Sequence, residues 1–579
     1  MALNNLNYTR TTLYNLTFLF VLSLLIMARQ LKTSGYFSCT INDVYTYTSW
    51  AWQFTGALKE GIIYPRWTSL NFWGYGSPTF ILYSPLSFYL VAFFNVFTGS
   101  IITAMNITKF LSLFLSATGM FFLLREFYSE RIALLSSSFY ILFPYTIFGL
   151  YLLGGFASTI SFMWFSPILL FTHRYLERRR YKCIFYAGAC YGGLILTHLL
   201  NAYMFTFVIV TFIIYMSIVN KRSKSMISIF VLITTGLLIS AAYILPLVYE
   251  KQFLNIRGFI GEGGGFHFAD FFILPNMTIK QDPSLLWPVY YNTFVFYVFF
   301  FITLLCLFLY QTLRLRNIEV VEKAKAVTNF FFGVAAVSIF LLFGVSTFLW
   351  ETIPFFKYIQ FPGRWFHITA FAVIFLSAVT FLTPDIIRNK KKSYSFIFAM
   401  FIIILFSSCL ILDYKYIKYA CLFTEQELLP VRTVDLTHEH LPAWVNINKI
   451  DKDDNRQEKV IIKEGEGKAA IEIWQSAEKI IEITAKNQLS LRIRIFNFPG
   501  WQAYIDGSNK ELRTEENTGA MLIDIPEGHH FLKLTFEDTP IRYFSKWISF
   551  FSLMSVVTIF LIDCLKILLS KKAKRSSIL

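Results

Sequence analysis

Asp43 is the first residue in the chain with the makings of chemistry. It follows Asn42 at the head of a stretch in which Tyr47, Trp50, Ala51, Phe54 and Leu58 recur on one helical face, and Gly61 closes that stretch. A carboxylate there caps the helix and complements its dipole. Held at a membrane surface, it can also take a proton from a hydroxyl. The two roles are compatible. Farther along, His198 and Asn201 fall at the turn between two apolar runs. A polar residue at membrane depth is a functional candidate, and the alternative is a hydrogen-bonded structural histidine. His367, just inside another apolar run, carries the same two readings. Gly261-Glu-Gly-Gly-Gly265 lacks the lysine and the strand–helix frame of a nucleotide loop, so it reads as a mobile external loop. Glu262, His267 and Asp270 near it make a weak metal set. Trp501, Tyr504 and Asp506 could bind a sugar, but a core tryptophan and a hairpin turn are the preferred reading.

These residues must be positioned by elements that lie in lipid. The chain has 579 residues, of which 55% are hydrophobic, 19% aromatic and only 15% charged. A soluble protein needs about a quarter of its residues charged to cover its surface. That excludes a soluble enzyme and argues against disorder, coiled coil or a nucleic-acid partner. The net charge of +16 is unevenly spread. Residues 413–542 hold 17 Lys and Arg against 22 Asp and Glu, a balance of −5, while the remainder holds 35 against 14, a balance of +21. The basic excess belongs to the membrane part and reads as a topology signal. The seven cysteines show no metal spacing. Most sit in apolar runs, and only Cys39 and Cys421 lie in polar stretches where pairing is open.

A membrane helix needs about 20 mostly apolar residues. Candidate segments lie near 11–28, 80–98, 101–124, 131–149, 156–172, 183–199, 200–220, 226–248, 288–310, 327–349, 365–383, 394–412 and 545–569. The sequence thus predicts a polytopic α-helical membrane protein with about 12–13 hydrophobic helices. Basic clusters at 174–182, 221–224, 314–325, 388–392 and 571–575 are expected on the cytoplasmic side, which makes the C-terminus cytoplasmic. The loops near His198–Asn201, 249–287 and 350–364 then face outward, with segment 413–542. Parity fails by one in the N-terminal third if the 29–79 loop is also outside. The expected repair is that one apolar segment between 80 and 172 does not cross.

Segment 413–542 reads as a small β-rich extracytoplasmic domain. Leu489–Phe496 and His530–Phe536 alternate apolar and polar residues, and strand-like runs occur at 469–475, 479–484 and 520–525. Pro499-Gly500, Asp506-Gly507 and Glu527-Gly528 supply turns. Three parts result: a membrane domain over 1–412 that includes the 29–79 loop, the β-rich domain over 413–542, and a last helix with a basic tail over 543–579.

The 29–79 loop carries Asp43, then Tyr64-Pro-Arg-Trp67, then Gly74, Gly76 and Pro78, and leads to Tyr83-Ser-Pro-Leu-Ser-Phe-Tyr89. This order resembles the first external loop of a bacterial family of polytopic membrane proteins, the YfhO-like or 6-pyruvoyl-tetrahydropterin synthase-related proteins, placed in the GT-C glycosyltransferase superfamily. Gln360-Phe-Pro-Gly-Arg-Trp365, Glu439-His-Leu-Pro442 with Trp444, Phe498–Gly507, Glu527-Gly-His529 and Thr539-Pro-Ile-Arg542 resemble further elements of that family in the same order. Two positions depart. Gly154–Ser158 stands where the family often has Arg-Gly and then Glu, and Tyr47 stands where it has His.

The resemblance implies a GT-C-like fold. It also implies inverting transfer of a sugar from a polyprenyl-phosphate donor to an envelope glycan, lipid or polymer, outside the bacterial cytoplasmic (inner) membrane. Asp43 would be the base. The lipid phosphate leaves as an anion, so cations must meet it. Arg66, Lys251, Arg257 and Arg364 are the candidates, with Lys251 read rather as a snorkelling side chain. Tyr64, Tyr83 and His198 complete the expected substrate-binding set. No cofactor or metal is expected, and the partners are the lipid-linked donor, the acceptor and the bilayer. The rivals are a lipid or polymer transporter and a scaffold that keeps the fold without the chemistry. Lys109 is one of few intramembrane charges.

Overall fold

The computed structural model describes residues 2–33, 35–38, 41–221, 226–256, 267–272, 322–387, 410–411, 414–418, 420–428, 438–451 and 458–576. Apolar runs of membrane length fold as helices because the helix satisfies its own backbone in lipid. Among the described residues seven helices are long and apolar enough to cross a bilayer. They are Arg10–Lys32, Ile101–Leu124, Glu130–Tyr151, Phe156–Arg178, Leu199–Val219, Pro362–Val379 and Pro540–Lys566. The expected spans at 288–310 and most of 394–412 lie outside the described residues.

Other expected spans take different forms. The 80–98 run is interrupted at Ser84-Pro85 and continues as the helix Leu86–Thr98. At about 1.5 Å per residue its 13 residues reach about 20 Å, short of the roughly 30 Å hydrocarbon core. Of the expected spans between 80 and 172, it is the one that forms a shorter apolar helix among the described residues. The 226–248 run is two helices, Ile227–Ile239 and Ala241–Glu250, with an 81° bend between them. The Ser240 hydroxyl donates to the Gly236 carbonyl at 2.8 Å, a back-bond that bends helices. The 327–349 run bends by 99° near Gly344.

Two β arrangements accompany the helices. Strand β1 (Gly35–Ser38) pairs antiparallel with β2 (Cys421–Thr424), Ser38 opposite Cys421. Cys39 lies outside the described residues, so the pairing left open above does too. The strand at 421–424 therefore belongs with the first loop rather than with the sheets that follow. Those sheets use β3 (Val460–Glu464), β4 (Gly467–Trp474), β5 (Glu478–Ala485), β6 (Leu489–Phe496), β7 (Trp501–Ile505), β8 (Ser508–Lys510), β9 (Arg513–Thr514), β10 (Ala520–Ile525) and β11 (Gly528–Phe536). One has the order β3-β6-β10-β9 and the other β4-β5-β11-β7-β8. Every pairing is antiparallel. Leu491 and Ile493 of one sheet share a core with Ile481 and Leu532 of the other, so the two pack face to face as a sandwich.

The first loop enters that core. Trp67, Phe72, Tyr75 and Ile81 pack with the sandwich residues. The Trp67 ring meets Phe536 at 5.2 Å and Trp501 at 5.6 Å, which makes Trp501 a core tryptophan. Tyr75 stacks on Phe496 at 4.9 Å, its carbonyl accepts from the Phe496 N–H at 3.0 Å, and its hydroxyl accepts from Arg492 at 2.6 Å. The turn between them needs left-handed backbone at Phe72, Trp73, Gly74 and Gly76. At Gly76 a Cβ would meet Trp67 Nε1 at 2.3 Å, so the tryptophan packs here only against glycine.

Candidate functional site

Asp43 sits in the first turn of the helix Ile41–Lys59, where the helix dipole favours a carboxylate. Tyr47 lies one turn on, on the same face. Its phenol accepts a hydrogen bond from Tyr83 at 3.0 Å, and the two rings pack 5.9 Å apart. Tyr83 is placed there by the extended backbone between Thr79–Leu82 and Leu86–Thr98, the same interruption that shortens the second helix. Trp50 packs on Tyr83 at 4.8 Å and on His440 at 5.0 Å. His440 brings Glu439 with it, within electrostatic range of Tyr47.

Burial, and after it the charge of Asp43, holds the Tyr47 phenol above its ordinary range, with Glu439 adding to the effect. Tyr83 is raised by burial, by Tyr47 and by Asp43. Both phenols therefore keep their protons at neutral pH and remain donors.

Arg364 is the cation of this cluster. It lies within electrostatic range of Asp43, Tyr47, Tyr83 and Tyr145. It stands in a tight turn, Pro362–Trp365, just before the helix Phe366–Ile387. Its guanidinium donates to the Ile359 carbonyl at 2.7 Å and lies 5.0 Å from the Phe361 ring centre. Tyr145 donates to the Gly363 carbonyl at 3.4 Å. His198, which caps the helix Leu199–Val219, is within electrostatic range of Arg364 and His367. Nearby, Ser158, Asn201 and His367 form a buried hydrogen-bonded group.

Tyr64 and Arg66 lie in a second cluster. Arg66 is 3% exposed. Its guanidinium rests 3.8 Å from the Tyr64 ring centre, donates to the Ala242 carbonyl at 3.1 Å and stands 3.7 Å from Asp538. Burial pushes the Tyr64 phenol up to about 12, with Arg66 pulling the other way. Beside this cluster Glu250 and Arg542, both fully buried, form a bidentate pair at 2.9 Å. These groups join the first loop, the bent helix pair and the start of the last helix. Arg257 lies outside the described residues, as do Glu262 and the glycine run at 261–265. Lys251 is exposed in the short 3₁₀ turn Lys251–Phe253.

The structure thus brings Asp43, Tyr83, His198 and Arg364 together and sets Tyr64 and Arg66 apart. In the sequence Glu439 is marked only by its motif, and Ser158 and Tyr47 only as departures from the family pattern. No local signal links Ser158 to His367, which lie 209 positions apart. Among the described residues no group of three or more His, Cys, Asp or Glu is arranged to hold a metal ion.

Residues 80–416 match the protein family described as 6-pyruvoyl-tetrahydropterin synthase related domain, membrane protein, which is more than half of the chain. No curated protein matches. Among solved structures, the oligosaccharyltransferase of Archaeoglobus fulgidus in the apo form is similar, at 14% identity and a TM-score of 0.42, over 72% of this chain and 57% of that one. The Archaeoglobus fulgidus oligosaccharyltransferase AglB, in complex with an inhibitory peptide and a dolichol-phosphate, gives 13% identity, a TM-score of 0.42 and the same 72% and 57%. ArnT from Cupriavidus metallidurans bound to undecaprenyl phosphate gives 11% identity and a TM-score of 0.39, over 73% and 75%. The chain spans little more than half the length of the first two.

Proposed function

The chain belongs to the 6-pyruvoyl-tetrahydropterin synthase related family of membrane proteins, and from that premise we propose that it is a GT-C-type glycosyltransferase. It moves a sugar from a polyprenyl-phosphate donor to a hydroxyl of an envelope glycan, lipid or polymer on the extracytoplasmic face of the bacterial inner membrane. The observation that carries this reading is the meeting of a carboxylate in the first turn of a helix, Asp43, with a guanidinium, Arg364, across two protonated phenols.

The chemistry follows from those charges. Asp43 takes the proton of the acceptor hydroxyl as its oxygen attacks the anomeric carbon. The bond from that carbon to the phosphate oxygen breaks with inversion, and both bonding electrons leave with the phosphate. Arg364 and the Nε2–H of His198 meet the growing negative charge. The Tyr47 hydroxyl, which accepts from Tyr83, donates its own hydrogen to a sugar or phosphate oxygen. Arg66, buried against Tyr64 and Asp538, serves the junction of loop and β-domain instead.

The test is transfer from a defined polyprenyl-phosphate sugar by full-length protein in nanodiscs. Asp43→Asn is expected to lower turnover by about 10²–10⁴-fold, the range for loss of a general base, with unchanged insertion and thermal midpoint. Wild-type turnover in Asp43→Asn would remove Asp43 as the base. No transfer by the wild type, with normal complementation of a deletion strain by Asp43→Asn, would favour the transporter or scaffold.

A further inference from the structure

Hydrogen bonds made by Asn201, Ser158 and His367 connect three helices between His198 and the Arg364 turn. The backbone N–H of Asn201 donates to Nδ1 of His198 at 3.1 Å. The Asn201 amide nitrogen donates to the Ser158 hydroxyl at 3.2 Å and to Ser161 at 2.7 Å. Ser158 Oγ lies 3.1 Å from Nε2 of His367, and Nδ1 of His367 lies 2.7 Å from the Arg364 carbonyl. The side chains of His198, Asn201, Ser158 and His367 are all buried, Asn201 completely.

Donor and acceptor roles follow from the ends inward. A carbonyl only accepts, so Nδ1 of His367 carries a hydrogen and Nε2 is the acceptor. Ser158 must then give its proton to His367 while accepting from Asn201. At the other end, Nδ1 of His198 already accepts, so its hydrogen is on Nε2. Among the described residues no group takes that hydrogen. The arrangement has a cost: the Asn201 amide oxygen is buried with no hydrogen-bond partner. Burying an unpaired acceptor is unfavourable, and a position kept for packing alone would shed it.

We propose that His367, Ser158 and Asn201 are positioning residues that set the backbone turn of one anion donor, Arg364, while the backbone N–H of Asn201 fixes the tautomer of the other, His198. This deepens the glycosyltransferase reading and rests on Arg364 and His198 receiving the donor phosphate. The turn at Arg364 is held from three sides, by its own bond to Ile359, by Tyr145 on Gly363 and by His367 on Arg364. Held this way, the guanidinium is pre-organised before the phosphate arrives.

Equilibrium binding of undecaprenyl phosphate to full-length protein in nanodiscs tests this without requiring transfer. Arg364→Met should weaken binding strongly. His367→Ala should weaken it about tenfold, the scale at which loss of an orienting partner is felt. His367→Asn, whose amide can still donate to the Arg364 carbonyl, should restore most of the affinity. Ser158→Ala, which removes one hydroxyl without changing shape, should give an intermediate loss with an unchanged thermal midpoint. In transfer assays the same variants should raise the donor KM more than they lower kcat. Wild-type binding by both His367→Ala and Ser158→Ala, with Arg364→Met weakened, would overturn the positioning role and leave the glycosyltransferase reading intact. Equal loss in His367→Ala and His367→Asn would also overturn it. Wild-type binding by Arg364→Met would remove the premise. A protein that binds as expected but transfers nothing would keep this inference and lose the proposed activity.

Discussion

Lys479 is a buried amine in the sandwich, 1% exposed. It donates to the Gln475 and Ser476 carbonyls and lies 5.3 Å from the Trp474 ring centre and 5.5 Å from that of Trp501. Burial brings its amine down to about 7, with Lys459 acting in the same direction and Glu60 opposing it. The unfolded chain holds that proton up to about pH 10.4. Between the two values the unfolded state binds more protons, so stability rises with pH across that window, and the charging penalty is complete below it. Thermal unfolding from about pH 7 to about pH 9.5 should therefore show a rising midpoint that Lys479→Met flattens. An identical slope in wild type and variant would count against the buried amine as its source. A lysine in an alternating strand is ordinary in sequence. Only its burial in the sandwich beside the two tryptophans makes it titrate near neutrality, against the pull of Glu60.

At the scale of elements, the junction between membrane helices and sandwich depends on Glu250 and Arg542. These close the helix Ala241–Glu250 against the start of the last helix. Arg542 also donates to the Pro499 and Glu537 carbonyls, so one side chain gathers a turn, a strand end and two helices. Removing one partner of a buried pair costs about 3–5 kcal/mol, while replacing both by apolar groups costs far less. Arg542→Met alone should lower the thermal midpoint and expose the sandwich to protease. Glu250→Leu combined with Arg542→Met should recover much of that loss, and equal damage in the single and double variants would argue against the pair as the junction. The sequence showed the arginine only as part of the Thr539–Arg542 run and gave Glu250 no role. The two lie 292 positions apart, and neither local spacing nor composition relates them.

At the scale of the whole molecule, the polar loop, the sandwich and the membrane bundle are continuous. The first loop contributes to the sandwich core through Trp67, Phe72 and Tyr75 and to the membrane cluster through Asp43 and Tyr47. A long last helix, Pro540–Ser576, leaves the sandwich and runs along the bundle, where Asp563 pairs with Lys182 at 2.5 Å. The proposed orientation, with the β-domain outside and the C-terminus in the cytoplasm, predicts that cysteines introduced at Asn509 and at the basic tail label from opposite sides of intact cells. Labelling of both from one side would refute that orientation and the external site with it.

Composition and periodicity were enough to establish membrane residence, most helix positions, the alternating strands of the sandwich and the place of Asp43 at a helix head. These are local properties, set by what each stretch can bury and by the hydrogen bonds its own backbone can make. The sequence favours Arg364, set between Pro-Gly and an apolar run, but still keeps Arg66 in the same phosphate-binding set. Tertiary packing separated the two. It placed Arg66 under Tyr64 and beside Asp538, and it drew Arg364 toward Asp43 through helices that meet from distant parts of the chain. A charge takes its role from the groups packed around it, and in a helical bundle those neighbours are chosen by helix packing rather than by sequence separation.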